Sequence, residues 1–83
     1  MAKTWKVEDI LSNVDQKQGF FIETSDGKPF EVVYENLFYS LFYKDKLVHK
    51  VPSIVMLTDY LFENYDDFEF NEDTFVLYEK GNN

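Results

Sequence analysis

Residues 19–34 read GFFIETSDGKPFEVVY, two runs rich in aromatic and β-branched residues that are separated by Asp26-Gly27. Such residues fit the half-buried surface of a pleated sheet. Asp-Gly is favoured in the type I′ turn, because both central residues of that turn need positive φ. The stretch therefore predicts a β-hairpin with strands over 19–25 and 28–34. Since Pro29 has no backbone N–H, we expect the start of the second strand at a sheet edge or a bulge.

Three more strands are expected after this hairpin. Residues 37–43 have leucines and phenylalanines at helical spacing, but their aromatic density favours a strand over a helix. We expect this strand to pair with residues 46–51 through a turn at Lys44-Asp45. An acidic connection over 66–73 then leads to a final strand over 74–78.

Two segments have the apolar spacing of amphipathic helices. The first, over residues 5–16 with Thr4 as N-cap, places four apolar side chains on one buried stripe: Val7, Ile10, Leu11 and Val14. The second, over residues 53–64 after Pro52, does the same with Ile54, Leu57, Leu61 and Tyr65. The order α-β-β-β-β-α-β predicts one compact α+β domain over residues 1–83, with a mainly antiparallel sheet and both helices packed on one face.

Length and composition exclude several classes of protein. Eighty-three residues allow one domain, and an apolar fraction of 45% is too high for a disordered acidic chain. No apolar run exceeds the four residues 54–57, so we expect no membrane span, and the N-terminus lacks the apolar stretch of a signal peptide. The chain has no cysteine, which favours a cytoplasmic location.

The negative charge is concentrated in the last third of the chain. The formal net charge is −8, and all eight basic residues are lysines. Residues 1–50 carry eight acids and seven lysines, whereas residues 51–83 carry eight acids and Lys80 alone. This segregation predicts one strongly negative surface rather than an even coat of charge.

The sequence has few residues or motifs that could form a catalytic, cofactor or metal site. The one histidine, His49, is expected on a strand face shared with Leu47 and Val51, which favours a structural role over that of a general base. A calcium loop beginning at Asp67 would place Glu72 where glycine is required and Tyr78 where a bidentate glutamate is required. There is no Gly-x-Ser-x-Gly motif and no glycine-rich loop before a helix. We therefore expect no enzyme activity, no cofactor and no metal.

Direct nucleic-acid binding has one candidate patch. Lys44, Lys46 and Lys50 lie close to Tyr39 and Tyr43 in the sequence, and aromatic side chains beside lysines can stack bases and hold phosphates. The negative field of the whole chain opposes this, and strand lysines commonly protect a sheet edge from pairing. We therefore expect no direct nucleic-acid partner and, for the same electrostatic reason, no anionic membrane surface.

The acidic segment is the strongest candidate for a binding site, because clustered like charges repel one another and do not favour folding. A row of carboxylates can imitate duplex phosphates and occupy the basic groove of a nucleic-acid-binding protein. The candidate contact residues are Asp59, Glu63, Asp66, Asp67, Glu69, Glu72 and Asp73. The simpler alternative interpretation is a solvated acidic face that maintains solubility.

A second hypothesis uses the aromatic strand over residues 38–43. Its exposed face could bind another protein, or pair with a second copy to form a homodimer through a sheet edge. Such an interface would respond little to salt, whereas binding by carboxylates would weaken steeply.

In outline the chain resembles small acidic phage proteins that block host defence, in particular anti-CRISPR inhibitors of Cas9-type nucleases. The similarity lies in element order and charge, over 7–14, 19–34, 54–65 and 66–73, without a shared diagnostic motif; the hairpin over 37–51 departs from the pattern. In such inhibitors acidic side chains occupy the site where the nuclease reads a short duplex motif with arginines. The resemblance implies an intracellular, cofactor-free inhibitor that uses the seven acids named above.

Overall fold

Two helices and seven strands make up the part of the chain that the computed structural model describes, residues 3–14 and 18–80. In chain order they are β1 (Thr4–Lys6), α1 (Val7–Asn13), β2 (Phe20–Glu23), β3 (Pro29–Glu35), β4 (Phe38–Tyr43), β5 (Lys46–Val51), α2 (Ile54–Asn64), β6 (Phe68–Asn71) and β7 (Val76–Glu79). The predicted α+β class and the order α-β-β-β-β-α-β are confirmed. Two short strands, β1 and β6, were not predicted.

Strands β2 to β5 form an antiparallel meander in which each strand pairs with the next. The strand interpretation of residues 37–43 is confirmed, and the helical alternative is wrong. Pro29 is the first residue of β3, a position that tolerates proline, and β3 is an interior strand, so the expected sheet edge is wrong.

The turns of this meander differ from the prediction. At the first turn only Gly27 has positive φ (90°), and its N–H donates to the Thr24 carbonyl at 2.9 Å. The turn is therefore type I followed by a left-handed glycine, not type I′. Both central residues have positive φ at Asn36-Leu37 and at Lys44-Asp45, which are the positions of the type I′ turns.

Strands β1, β7 and β6 form a second antiparallel sheet, with β7 in the centre. This sheet includes part of the segment that was expected to be an acidic connection. Phe68 and Phe70 alternate with polar residues there, and the segment forms strand β6, which pairs with β7. The predicted single sheet is thus two sheets.

Helix α1 is shorter than predicted. Thr4, the expected N-cap, pairs with Tyr78 in β1, and Lys6 takes the N-cap position without a side-chain hydrogen bond. The helix ends at Asn13, and residues 15–16 of the predicted helix lie outside the described residues. Leu11, expected on the buried stripe, is 45% exposed.

Helix α2 begins as predicted. The Ser53 hydroxyl accepts a hydrogen bond from the Val55 N–H at 3.2 Å, which caps the first turn. The helix buries Ile54, Leu57 and Leu61, and it packs against β4 and β5 of the meander and against β6 of the second sheet. None of the helices described is long and apolar enough to cross a membrane.

An aromatic cluster joins the two sheets. The fully buried Phe30 of β3 has its ring centroid 4.9 Å from that of Tyr65, the residue that ends α2, and 5.3 Å from that of Phe68 in β6. Trp5 of β1 packs edge-on against Phe68 at 5.8 Å. These edge-to-face contacts fix β6, and with it the acidic segment, against the meander.

Candidate protein-interaction surface

The helical pair of candidate acids lies on the outer side of α2. Glu63 is exposed and Asp59 is half-buried, and a spacing of four places both on one helix face. Exposed apolar side chains lie around them, with Val55 one turn before Asp59 and Phe62 next to Glu63. The outer side of α2 is therefore a mixed acidic and apolar surface.

Asp66 and Asp67 form the turn between α2 and β6, and of these two only Asp67 forms an ion pair within the described residues. The Asp67 carboxylate accepts hydrogen bonds from the Lys28 Nζ at 3.0 and 3.2 Å, and its side chain is 20% exposed. This ion pair raises the pKa of Lys28. Asp66, in contrast, is exposed. Asp67 thus links the acidic segment to the β2–β3 hairpin, a role that the sequence did not indicate.

Three further candidate acids lie on β6 and on the turn that follows it. Glu69 is exposed on the face of β6 opposite to Phe68 and Phe70, because side chains alternate along a strand. Glu72 and Asp73 are exposed in the turn to β7, where the Asn71 side-chain oxygen accepts the N–H of Asp73 at 2.8 Å. The carboxylates follow one continuous path of the backbone but leave it on more than one face.

Glu79, the last acid before Lys80, is structural. It is 8% exposed, and its carboxylate accepts the Ser25 N–H at 3.1 Å and the Ser25 hydroxyl at 3.0 Å. The hairpin tip that binds Asp67 through Lys28 therefore binds β7 as well. Glu79 was not among the predicted site residues, and its position at the end of β7, next to Lys80 in the chain, gives no signal of this partner.

The candidate acids other than Asp67 account for most of the negative charge of this region. Within residues 3–14 and 18–80, the ion pairs join Lys28 to Asp26 and to Asp67, and no other pair is formed. We use the term acidic surface for the six candidate residues without such a partner in the described chain: Asp59, Glu63, Asp66, Glu69, Glu72 and Asp73. Their backbone is fixed by side chains that are fully buried, Leu57 and Leu61 in α2 and Phe68 in β6.

The outer face of the four-stranded sheet is the second surface of interest. The register places Phe21, Glu31, Phe42 and Leu47 in one row across the four strands on the face opposite to the core. Phe21 is 65% exposed and Leu47 is 54% exposed. Lys50 lies over the Phe38 ring on the same face, 5.3 Å from its centroid. The strand of the second hypothesis, β4, contributes Phe38 and Phe42 to this aromatic sheet face. Because β4 lies between β3 and β5, it offers no sheet edge for pairing with a second copy, and that part of the expectation is wrong.

His49 is packed rather than presented to solvent. Its ring stacks on Tyr60 of α2, with centroids 3.8 Å apart and planes 8° apart. An irregularity in the β4–β5 pairing leaves Val48 without a partner, so Leu47 points to the outer face while His49 stays on the core face with Val51. The expectation that His49 shares a face with Leu47 is wrong.

No metal site is found in the described part of the chain, where no three histidine or acidic side chains come together closely enough to hold an ion. Lys46 and Lys50, members of the candidate nucleic-acid patch, lie on the edge strand β5 and point to opposite faces of the sheet.

The chain matches no family model, no curated protein and no solved structure.

Proposed function

We propose that this protein is a non-enzymatic cytoplasmic inhibitor that binds a nucleic-acid-binding enzyme by placing the acidic surface in the basic groove of that enzyme. The proposal rests on one observation, that the acidic residues of the last third of the chain have two kinds of surroundings. Asp67 and Glu79 are bound by groups of the hairpin, whereas six neighbouring carboxylates have no cation of the described chain beside them.

This arrangement costs stability that the described contacts do not offset. Asp59 and Glu63 repel each other on one helix face, and Glu63 lies in the last turn of α2, where the helix dipole is already negative. No basic residue lies in the last turn of that helix. Since these charges do not stabilise the fold, we infer that they stabilise a complex with a partner.

A basic groove is the partner that fits best. Fixed carboxylates replace phosphates, release counterions from the groove and accelerate association by electrostatic steering. The elements that carry them are anchored by fully buried side chains, so little ordering is needed on binding. The similarity in element order and charge to anti-CRISPR inhibitors supports a phage origin and a Cas9-type nuclease as the target class.

Capture from a lysate of the bacterial host tests the proposal. The site variant carries Asp66→Lys, Glu69→Lys and Glu72→Lys, and it leaves the structural Asp67 intact. A control variant changes net charge by the same amount at exposed acids elsewhere: Asp9→Lys, Glu23→Lys and Glu35→Lys.

We expect the wild-type protein and the control variant to retain the same nucleic-acid-binding enzyme at low salt and to release it at high salt or on addition of duplex DNA. The site variant should not retain it. If the site variant keeps the partner, or if both variants lose it equally, the acidic surface is not the binding site.

The aromatic sheet face favours a second candidate function, a homodimeric or assembly module, because Phe21 and Leu47 are more than half exposed there. Glu23, Glu31 and Glu35 lie on the same face, and a second copy would bring them toward one another, which disfavours this alternative. Light scattering distinguishes the two. A monomer mass excludes the homodimer, and a dimer that Leu47→Lys dissociates would support it.

A further inference from the structure

An apolar groove lies beside the acidic surface, between α1, the start of α2 and the turn from β6 to β7. Its volume is about 580 Å³, within the range of about 300–1,000 Å³ that is typical of binding sites. Leu11 of α1, Val55 of α2 and Phe75 of the turn line it, and they are 45%, 37% and 50% exposed. Leu11 belongs to the stripe that the sequence predicts to be buried, so the groove leaves uncovered a side chain that the helical pattern marks as core.

Phe75 is held in this groove by its backbone. Its φ is +54°, in the left-handed region that aromatic residues rarely adopt, and its carbonyl accepts the Val7 N–H at 3.0 Å. This bond fixes the turn against α1 and keeps the half-exposed ring beside the groove.

One acidic residue lies in the lining, and two more lie near lining residues along the chain. Glu8 lines the groove itself, Asp73 directly precedes the lining residue Thr74, and Asp59 lies one helical turn beyond Val55. Lys6 is the one basic residue of the lining among the described residues. Apolar walls with a negative margin fit an apolar side chain that has basic neighbours. They disfavour a fatty acid, and they disfavour a second copy of this chain, whose net charge is −8.

We propose that this groove binds an amphipathic basic helix of the partner, with its apolar side chains between Leu11, Val55 and Phe75 and its lysines or arginines beside these three acids. Helices of this kind dock in grooves through apolar residues at i, i+3 and i+4. The inference rests on the proposed function, because it names the element of the basic partner that contacts this chain. It adds that binding includes an apolar contact that salt does not screen.

Two synthetic peptides of about four helical turns test it on the full chain. One has leucines at helical spacing among lysines, and the other has glutamines in place of the leucines with the same charge. At about 1 M salt, where the Debye length is about 3 Å, we expect the leucine peptide to bind at least ten-fold more tightly. Its addition should shift the NMR signals of Leu11, Val55 and Phe75.

A groove variant, Leu11→Gln with Val55→Gln, should lose this preference. A matched control, Met56→Gln with Phe62→Gln, removes exposed apolar side chains of α2 outside the groove and should retain it. Equal affinity for the two peptides overturns the proposal, as does an undiminished preference in a folded groove variant. If the groove variant does not fold, NMR shifts of the wild-type protein that fall elsewhere overturn it. The peptide comparison does not involve the charge-reversal variants, so the groove and the proposed function can fail separately.

Discussion

Asp66 and Asp67 are neighbours in one turn, yet their carboxylates have different surroundings. Where the β2–β3 hairpin contacts the acidic segment, Asp67 is bound by Lys28 and Glu79 is bound by Ser25. Away from the hairpin, from Glu69 to Asp73, the acids are exposed and the described ion pairs do not include them. The comparison separates acids that hold the two sheets together from acids that are available to a partner.

The largest effect in this comparison is expected at Glu79. Glu79→Ala removes an acceptor that is 8% exposed and serves both polar groups of Ser25, so the free energy of unfolding should fall by about 1.5–3 kcal/mol. Urea denaturation measures this loss. The paired control Glu69→Ala, on the neighbouring strand, should stay within about 0.5 kcal/mol of the wild type. Equal losses for the two variants would show that the distinction between the acids is wrong.

A smaller effect is expected at Asp67. Asp67→Asn removes the charge that pairs with Lys28 and should lower the thermal midpoint at low salt, with a smaller decrease at high salt. The adjacent Asp66→Asn should leave the midpoint unchanged or raise it slightly. Thermal melts of both variants at two salt concentrations make the measurement, and a decrease for Asp66→Asn would contradict the assignment.

The stability of the protein at alkaline pH is a further test of the contacts that join the two sheets. Burial raises the pKa of Tyr65 above the ordinary value of 10.0, with a smaller contribution from Tyr60, and Tyr39 is shifted in the same direction, mainly by burial. The pairing with Asp67 raises the pKa of Lys28 above 10.5. In this range the folded state binds more protons than the unfolded state, so stability present below pH 10 should decline as the pH rises.

Tyr65→Phe removes one of these groups and should make the alkaline decline less steep. Urea midpoints measured across pH 8 to 11 would show the change in slope. An identical slope in the variant would mean that Tyr65 titrates equally in both states.

The smallest effect is expected for the acidic surface itself. Replacing Asp66, Glu69 and Glu72 together by their amides relieves repulsion and should raise the thermal midpoint slightly at low salt. At about 1 M salt the difference from the wild type should disappear. A lower midpoint at both salt concentrations would show that these acids stabilise the fold.

The four-stranded meander could be predicted from the sequence because each of its pairings joins neighbours in the chain. Turn signals at 26–27 and 44–45 and the aromatic runs between them define it locally. The type of the first turn could not be predicted, since Asp-Gly also suits a type I turn with a left-handed glycine. The turn at Asn36-Leu37 has no usual signal, because leucine rarely adopts the φ of +71° found there.

The second sheet depends on long-range pairing and was missed for that reason. Thr4 pairs with Tyr78 from the other end of the chain, and three residues of β1 are too few to show an alternating pattern. The exposed acids were identified as a group, but Asp67 could not be separated from Asp66 because its partner Lys28 is 39 residues away. The groove was missed because the helical pattern of α1 predicts Leu11 to be buried.

Competition with the nucleic-acid ligand of the captured enzyme is the most direct test of the central claim, that the acidic surface occupies a nucleic-acid-binding groove. The affinity of this protein for the captured enzyme would be measured at increasing concentrations of the enzyme's own nucleic-acid ligand. Mutually exclusive binding predicts that the apparent Kd rises in proportion to the concentration of that ligand once the ligand exceeds its own Kd. An unchanged Kd, with a complex of all three components, would contradict the claim.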